Sequence, residues 1–112
     1  MSARVETRLW LAQRASAMVL ALCVIVHLVT IIYAVLGGLS AAEILARTRG
    51  SSVWLGFYLL FVAAVAIHAP IGLRTVLREM TVWRGRSLDA ATLLFGVLLA
   101  ALGLHAAVAV FG

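Results

Sequence analysis

Lysine is absent from this chain of 112 residues, cysteine and proline each occur once, and charged residues make up only 12%. Each scarcity excludes something. The lone cysteine, Cys23, permits no intrachain disulfide, and its place inside an apolar run assigns it to packing. The charged fraction is about half of the roughly 25% found in soluble domains, too little to solvate a globular surface. Polar stretches are short, so no extramembrane domain able to hold a nucleotide or a soluble substrate is expected. The formal charge of +5 comes from arginine alone against four acids, and in such an apolar chain it reports on membrane orientation rather than on nucleic acid.

What is abundant is apolar: 65% of residues, with a mean hydropathy of +1.16. Crossing a bilayer core of about 30 Å takes roughly twenty apolar residues, and Ala15 to Leu36, Val53 to Leu73 and Leu88 to Phe111 each qualify. The first run is longer than the core of a signal peptide and lacks a clear cleavage site, so it is read as a permanent span. The expected fold is an all-α membrane protein, a single membrane anchor domain over residues 1–112. Membrane helices associate without the aqueous hydrophobic drive, so the three spans are expected to form a bundle with helices of a partner subunit.

Residues 1–14 carry Arg4, Arg8 and Arg14, with apolar positions Val5, Leu9, Trp10 and Leu11 spaced for a short interfacial helix. Arg14 abuts the first span in Gln13-Arg14-Ala15-Ser16, where its guanidinium either snorkels to the headgroups or turns with Ser16 toward a ligand. Gly37-Gly38 ends that span. Ser40-Ala-Ala-Glu43 reads as a capping box opening a short helix through Ala46, and Trp54, Phe57 and Tyr58 as one rim of an aromatic belt. Ser87 is a candidate N-cap for the third span, on which Gly96, Ala100, Gly103 and Ala107 form a small-residue face. Seven arginines in the N-terminal flank and the 74–89 connection, against two in the 37–52 connection, place the N-terminus on the cytoplasmic side.

Ionisable side chains inside hydrocarbon are costly and are read first as functional. At about 1.5 Å per residue, His27 lies roughly 18 Å into the first span, His68 roughly 8 Å from the end of the second, and His105 roughly 25 Å along the third. Pro70 predicts a kink or loosening where His68 projects, and Gly72, one turn below, leaves room for a flat group or another backbone. Arg74 and Arg78 suit a buried carboxylate such as a propionate. Haem or metal ligation is the strongest use of an imidazole in this setting. His27 and His68 differ by about 10 Å in depth, too far to share one iron, so the ligand opposite His68 is expected from a second chain. His27 and His105 differ by only about 7 Å, which permits a second haem nearer the outside. The plainer alternatives are a basic flank for the arginines and a solvated interfacial role for His105.

His68-Ala-Pro-Ile-Gly72-Leu-Arg74-Thr-Val-Leu-Arg78-Glu79 resembles the haem-ligand segment of the membrane anchor subunits of succinate dehydrogenase and fumarate reductase. Gln13-Arg14-Ala-Ser16-Ala17 is similar to the quinone-pocket segment of the cytochrome b subunit in that family, with Gln13 where histidine is usual and Ala17 where glycine is usual. Glu79-Met80 stands where one anchor type has Asp-Tyr, so the tyrosine that would bond a quinone oxygen is absent. The resemblance implies His68 as an axial ligand of haem b, Arg14 and Ser16 near ubiquinone or menaquinone, and Arg74 near a propionate or the quinone. It also implies partners: a flavoprotein subunit, an iron-sulfur subunit and a second membrane anchor chain, different or identical, in a bacterial inner membrane. Which anchor type this is stays open, and a structural or transport subunit without haem is the alternative.

Overall fold

Hydrocarbon offers no partner to a backbone N–H or C=O, so apolar runs of this length must close their hydrogen bonds internally as helices. The computed structural model describes residues 2–112, which form α1 (Ala3–Leu36), α2 (Ala41–Thr48), α3 (Ser52–Met80) and α4 (Arg86–Phe111), with no strand among the described residues. Helices α1, α3 and α4 are long and apolar enough to cross a membrane. Helix α3 is central, packed along α1 on one side and α4 on the other, while the short α2 rests on the far end of α4.

The N-terminal flank differs from the sequence expectation. Instead of a separate surface helix, residues 3–14 are the first turns of α1, because neither glycine nor proline interrupts the sequence from Ala3 to Leu36. Ser2 caps the helix by accepting from the Val5 N–H. At 1.5 Å per residue, a helix of this length exceeds a core of about 30 Å by several turns. The bundle is 49 Å along its longest axis.

Pro70 does not break α3, which is helical from Ser52 to Met80. The proline removes the donor that would serve the Ala66 carbonyl. That carbonyl instead faces α4 at Gly96, where an added Cβ would lie 3.3 Å from Ala66 O and 3.0 Å from Pro70 Cγ. Only a residue without a side chain lets α4 come this close to the proline turn. Two turns further along α4, a Cβ on Gly103 would meet Val62 Cγ1 at 2.7 Å, and Ala107 is buried. The small-residue face of α4 thus lies against α3, as its spacing predicts.

Charge ties the opposite end of the bundle together. Arg74 on α3 donates from Nε to Asp89 Oδ1 on α4 at 2.9 Å and reaches Glu6 Oε1 on α1 at 3.5 Å, with its side chain only 12% exposed. Arg78 also reaches Glu6 Oε1, at 3.5 Å. One guanidinium therefore touches all three long helices.

Both connections are held by local chemistry. Ser40 Oγ accepts from the Glu43 N–H, the N-cap half of the expected capping box, while Glu43 Oε1 accepts from the Ser40 hydroxyl rather than from its backbone N–H, and α2 runs two residues past the predicted Ala46. Thr48 Oγ1 donates to Val110 O at 2.9 Å and the Gly50 N–H to Phe111 O at 2.8 Å, fastening the connection to the end of α4. Ser87 is not the N-cap of α4. That position falls to Gly85 at φ 89°, a left-handed conformation glycine adopts without strain, and Ser87 Oγ instead accepts from Trp83 Nε1 at 2.7 Å.

Two substitutions check this account. Gly96→Val places a branched side chain against Pro70 and the Ala66 carbonyl and should destabilise the α3–α4 pair by about 1–3 kcal/mol in a reversible detergent-denaturation titration. Asp89→Ala leaves the mostly buried Arg74 without its shortest partner and should cost about 2 kcal/mol in the same titration, whereas the exposed Glu79→Ala should stay within about 0.5 kcal/mol.

Candidate functional site

The seam between α1 and α3 carries most of the polar side chains singled out by sequence. The helices run antiparallel, so Glu6 meets Arg78 at one end, Gln13 lies over Gly72 further in, and His27 stands beside Tyr58 towards the other end. On α1, Glu6, Leu9, Trp10 and Gln13 fall at helical spacing and form one stripe. Together with Ile71, Gly72, Arg74, Thr75 and Val76 of α3, that stripe lines a cleft of about 410 Å³.

Each predicted residue has a definite place around this seam. Ser16 is buried and donates to the Gln13 carbonyl at 3.1 Å, spending its proton on its own helix. It lines a narrower apolar cleft of about 250 Å³ with Val19, Ala63, Ala64 and Ile67. Arg14 is exposed, its guanidinium 5.3 Å from the centroid of the Trp10 ring, so it covers the tryptophan at the mouth of the seam. Arg74 stands at the same level, already bound to Asp89 and Glu6.

His68 lies one turn above Gly72 on the α1-facing side of α3 and is half-buried, with Nδ1 enclosed and without a hydrogen-bond partner. Gly72 opens space as expected, but the chain fills it with its own Gln13, whose Nε2 would lie 3.3 Å from a Cβ there. Gln13 Oε1 is likewise enclosed without a partner.

His27 forms a separate centre. Its ring makes edge contacts with Tyr58 and Phe61, at centroid distances of 5.9 and 5.5 Å, and faces an apolar cavity of about 500 Å³ towards Leu99, Gly103 and Val110 of α4. Its Nδ1 is also enclosed and unpartnered. Tyr58, level with His27, is ten residues from His68 along α3, about 15 Å, so this chain does not bring the two imidazoles to one iron. His105 is exposed on α4 and lines neither cavity that His27 lines, so it is not brought to His27 either.

Two features of the site escape sequence reasoning. The carboxylates that occupy Arg74 come from residues distant in sequence, and only the acidic characters of Glu6 and Asp89 hint at them. Gln13 enters the sequence reading merely as a departure from an expected histidine, whereas the fold puts it on the cleft wall.

Comparison with known proteins adds a separate line. The family model for the succinate dehydrogenase/fumarate reductase transmembrane subunit matches residues 1–109. No match to a curated protein or to a solved structure is found. With three membrane-crossing helices and a match along nearly its whole length, the chain belongs to the family of succinate dehydrogenase/fumarate reductase transmembrane subunits.

Proposed function

We propose that this chain is a haem b-binding membrane anchor of a succinate:quinone oxidoreductase. In this role it docks a flavoprotein and an iron-sulfur subunit on its arginine-rich face and forms part of the quinone pocket. The carrying observation is His68: an imidazole within a membrane-crossing helix whose Nδ1 is enclosed and has no hydrogen-bond partner among the described residues. The enclosed Nδ1 leaves the other ring nitrogen, Nε2, as the atom that would reach a metal, and neutral imidazole is an ordinary haem donor. The donor chemistry therefore fits a haem. When bound, haem b supplies a one-electron redox centre, with its potential set by the axial ligands and by burial.

The chain's own residues then have distinct tasks. His68 would hold the haem iron through a ring nitrogen, and His27, about 15 Å away along the bundle, would not share that group, so any further ligand would come from a second anchor chain. Arg14 and Ser16 sit beside the ubiquinone or menaquinone, Arg14 at the mouth over Trp10 and Ser16 in the deeper cleft. Arg74 acts first as the clamp among α1, α3 and α4, so a propionate approaching it competes with Asp89 and Glu6. The arginine bias sets the N-terminus and the Arg74–Arg86 face on the cytoplasmic side of a bacterial inner membrane, where soluble subunits can dock. Electrons from succinate reach the quinone from that face, and this chain performs no succinate chemistry.

In the purified complex, His68→Ala should abolish the low-spin haem absorbance and paramagnetic resonance signals, while His105→Ala, on the exposed face of α4, retains them. A full haem spectrum in His68→Ala sinks the assignment and favours a structural or transport subunit without haem.

A further inference from the structure

At the end of the bundle away from Arg74, an arginine stands without an anion among the described residues. Arg47 on α2 makes no ion pair and no hydrogen bond there, and Glu43, one turn before it, takes the Ser40 hydroxyl instead. Its guanidinium lies 5.1 Å from the centroid of the Tyr33 ring. Arg47 and Tyr33 line one cleft of about 460 Å³ between α1, α2 and α3, with Ile31, Val35, Leu39 and Ile44 among its apolar walls. An arginine that simply snorkels points away from apolar surface, whereas this one lies over the wall of an apolar cleft. The cleft runs inward along α1 from Val35 to His27, about 12 Å. Thr30, near its deep end, has already spent its hydroxyl proton on the His27 carbonyl at 2.6 Å. The cleft is thus apolar along its length and cationic at its mouth.

We propose that this cleft binds one anionic phospholipid, with its phosphate on Arg47 and an acyl chain in the groove towards His27. The planar guanidinium offers paired N–H donors to phosphate oxygens, and charge-assisted bonds of that kind are among the strong ones. The level fits as well. Helix α2 lies between the ends of two membrane-crossing helices, and Tyr33 and Trp54, which both line the cleft, are of the type that gathers at headgroup depth. The 37–52 connection carries Arg47 and Arg49 against Glu43 alone, so the field at the mouth favours an anion. A helix of a partner subunit could supply that anion only by carrying a carboxylate in a membrane-crossing segment, which is costly. A phospholipid carries its charge at the depth where Arg47 stands and its apolar part where the groove begins. The His27 ring closes the deep end and needs no contact with the headgroup.

The test titrates the purified, delipidated complex with dioleoyl phosphatidylglycerol and counts bound lipid by native mass spectrometry. The wild type should hold this lipid about tenfold more tightly than dioleoyl phosphatidylcholine, which has the same chains and no net charge. Arg47→Gln should remove most of that preference. Ala34→Phe fills the groove without changing charge and should weaken binding of phosphatidylglycerol by a similar factor. Arg84→Gln removes an arginine that does not line the cleft and should leave the affinity unchanged. Glycerol phosphate, which has the anion but no chains, should not displace the lipid at equal concentration. Where a variant fails to assemble, the comparison of the two lipids and the glycerol phosphate competition on the wild-type complex decide. Equal affinity for the two lipids, wild-type affinity in Arg47→Gln or Ala34→Phe, an equal loss in Arg84→Gln, displacement by glycerol phosphate, or no lipid bound to the wild type each overturns the proposal.

Discussion

The Arg74 guanidinium is where the three long helices meet, and the organisation of that end of the bundle follows from it. It is mostly buried, so it must be neutralised, and the fold does so with one carboxylate from α1 and one from α4. That pairing fixes the rotation of α1 about its own axis. With Glu6 turned towards α3, helical periodicity turns Leu9 and Gln13 inward as well, while Arg14, one residue on, is carried out to the surface. The ion pairs and the lining of the cleft are thus one geometric fact.

Further into the bundle, α3 and α4 rely on close approach instead of charge. Gly96 and Gly103 let α4 settle against Pro70 and Val62. Much of the remaining surface is large and apolar, including Met18, Leu22, Ile25 and Val29 on α1 and Leu94, Val97 and Leu98 on α4. Lipid and the helices of partner subunits are natural cover for such surfaces, in keeping with a family of complex-forming transmembrane subunits.

Two half-buried imidazoles with enclosed, unsatisfied Nδ1 atoms occupy different environments. His68 belongs to the polar seam with Gln13, Ser16 and the arginines, whereas His27 is surrounded by Tyr58, Phe61 and the apolar cavity towards α4. Their separation along α3 makes them independent sites.

Composition and spacing alone determined the three spans, the capping box at Ser40 and the small-residue face of α4, because these depend on local periodicity and on the bilayer's fixed thickness. They also marked His68, since an imidazole in hydrocarbon is conspicuous in one dimension. Tertiary structure decided the rest. The unbroken course of α3 past Pro70 and the seating of Gly96 against it depend on neighbours the sequence does not identify. The same holds for Arg74, whose partners are 68 residues before it and 15 after it, and for Gln13, whose meeting with Gly72 is set by the antiparallel register of two helices. Local preference specifies which segments are helical, but which face meets which is chosen by pairing buried charge and by fitting small residues under large ones.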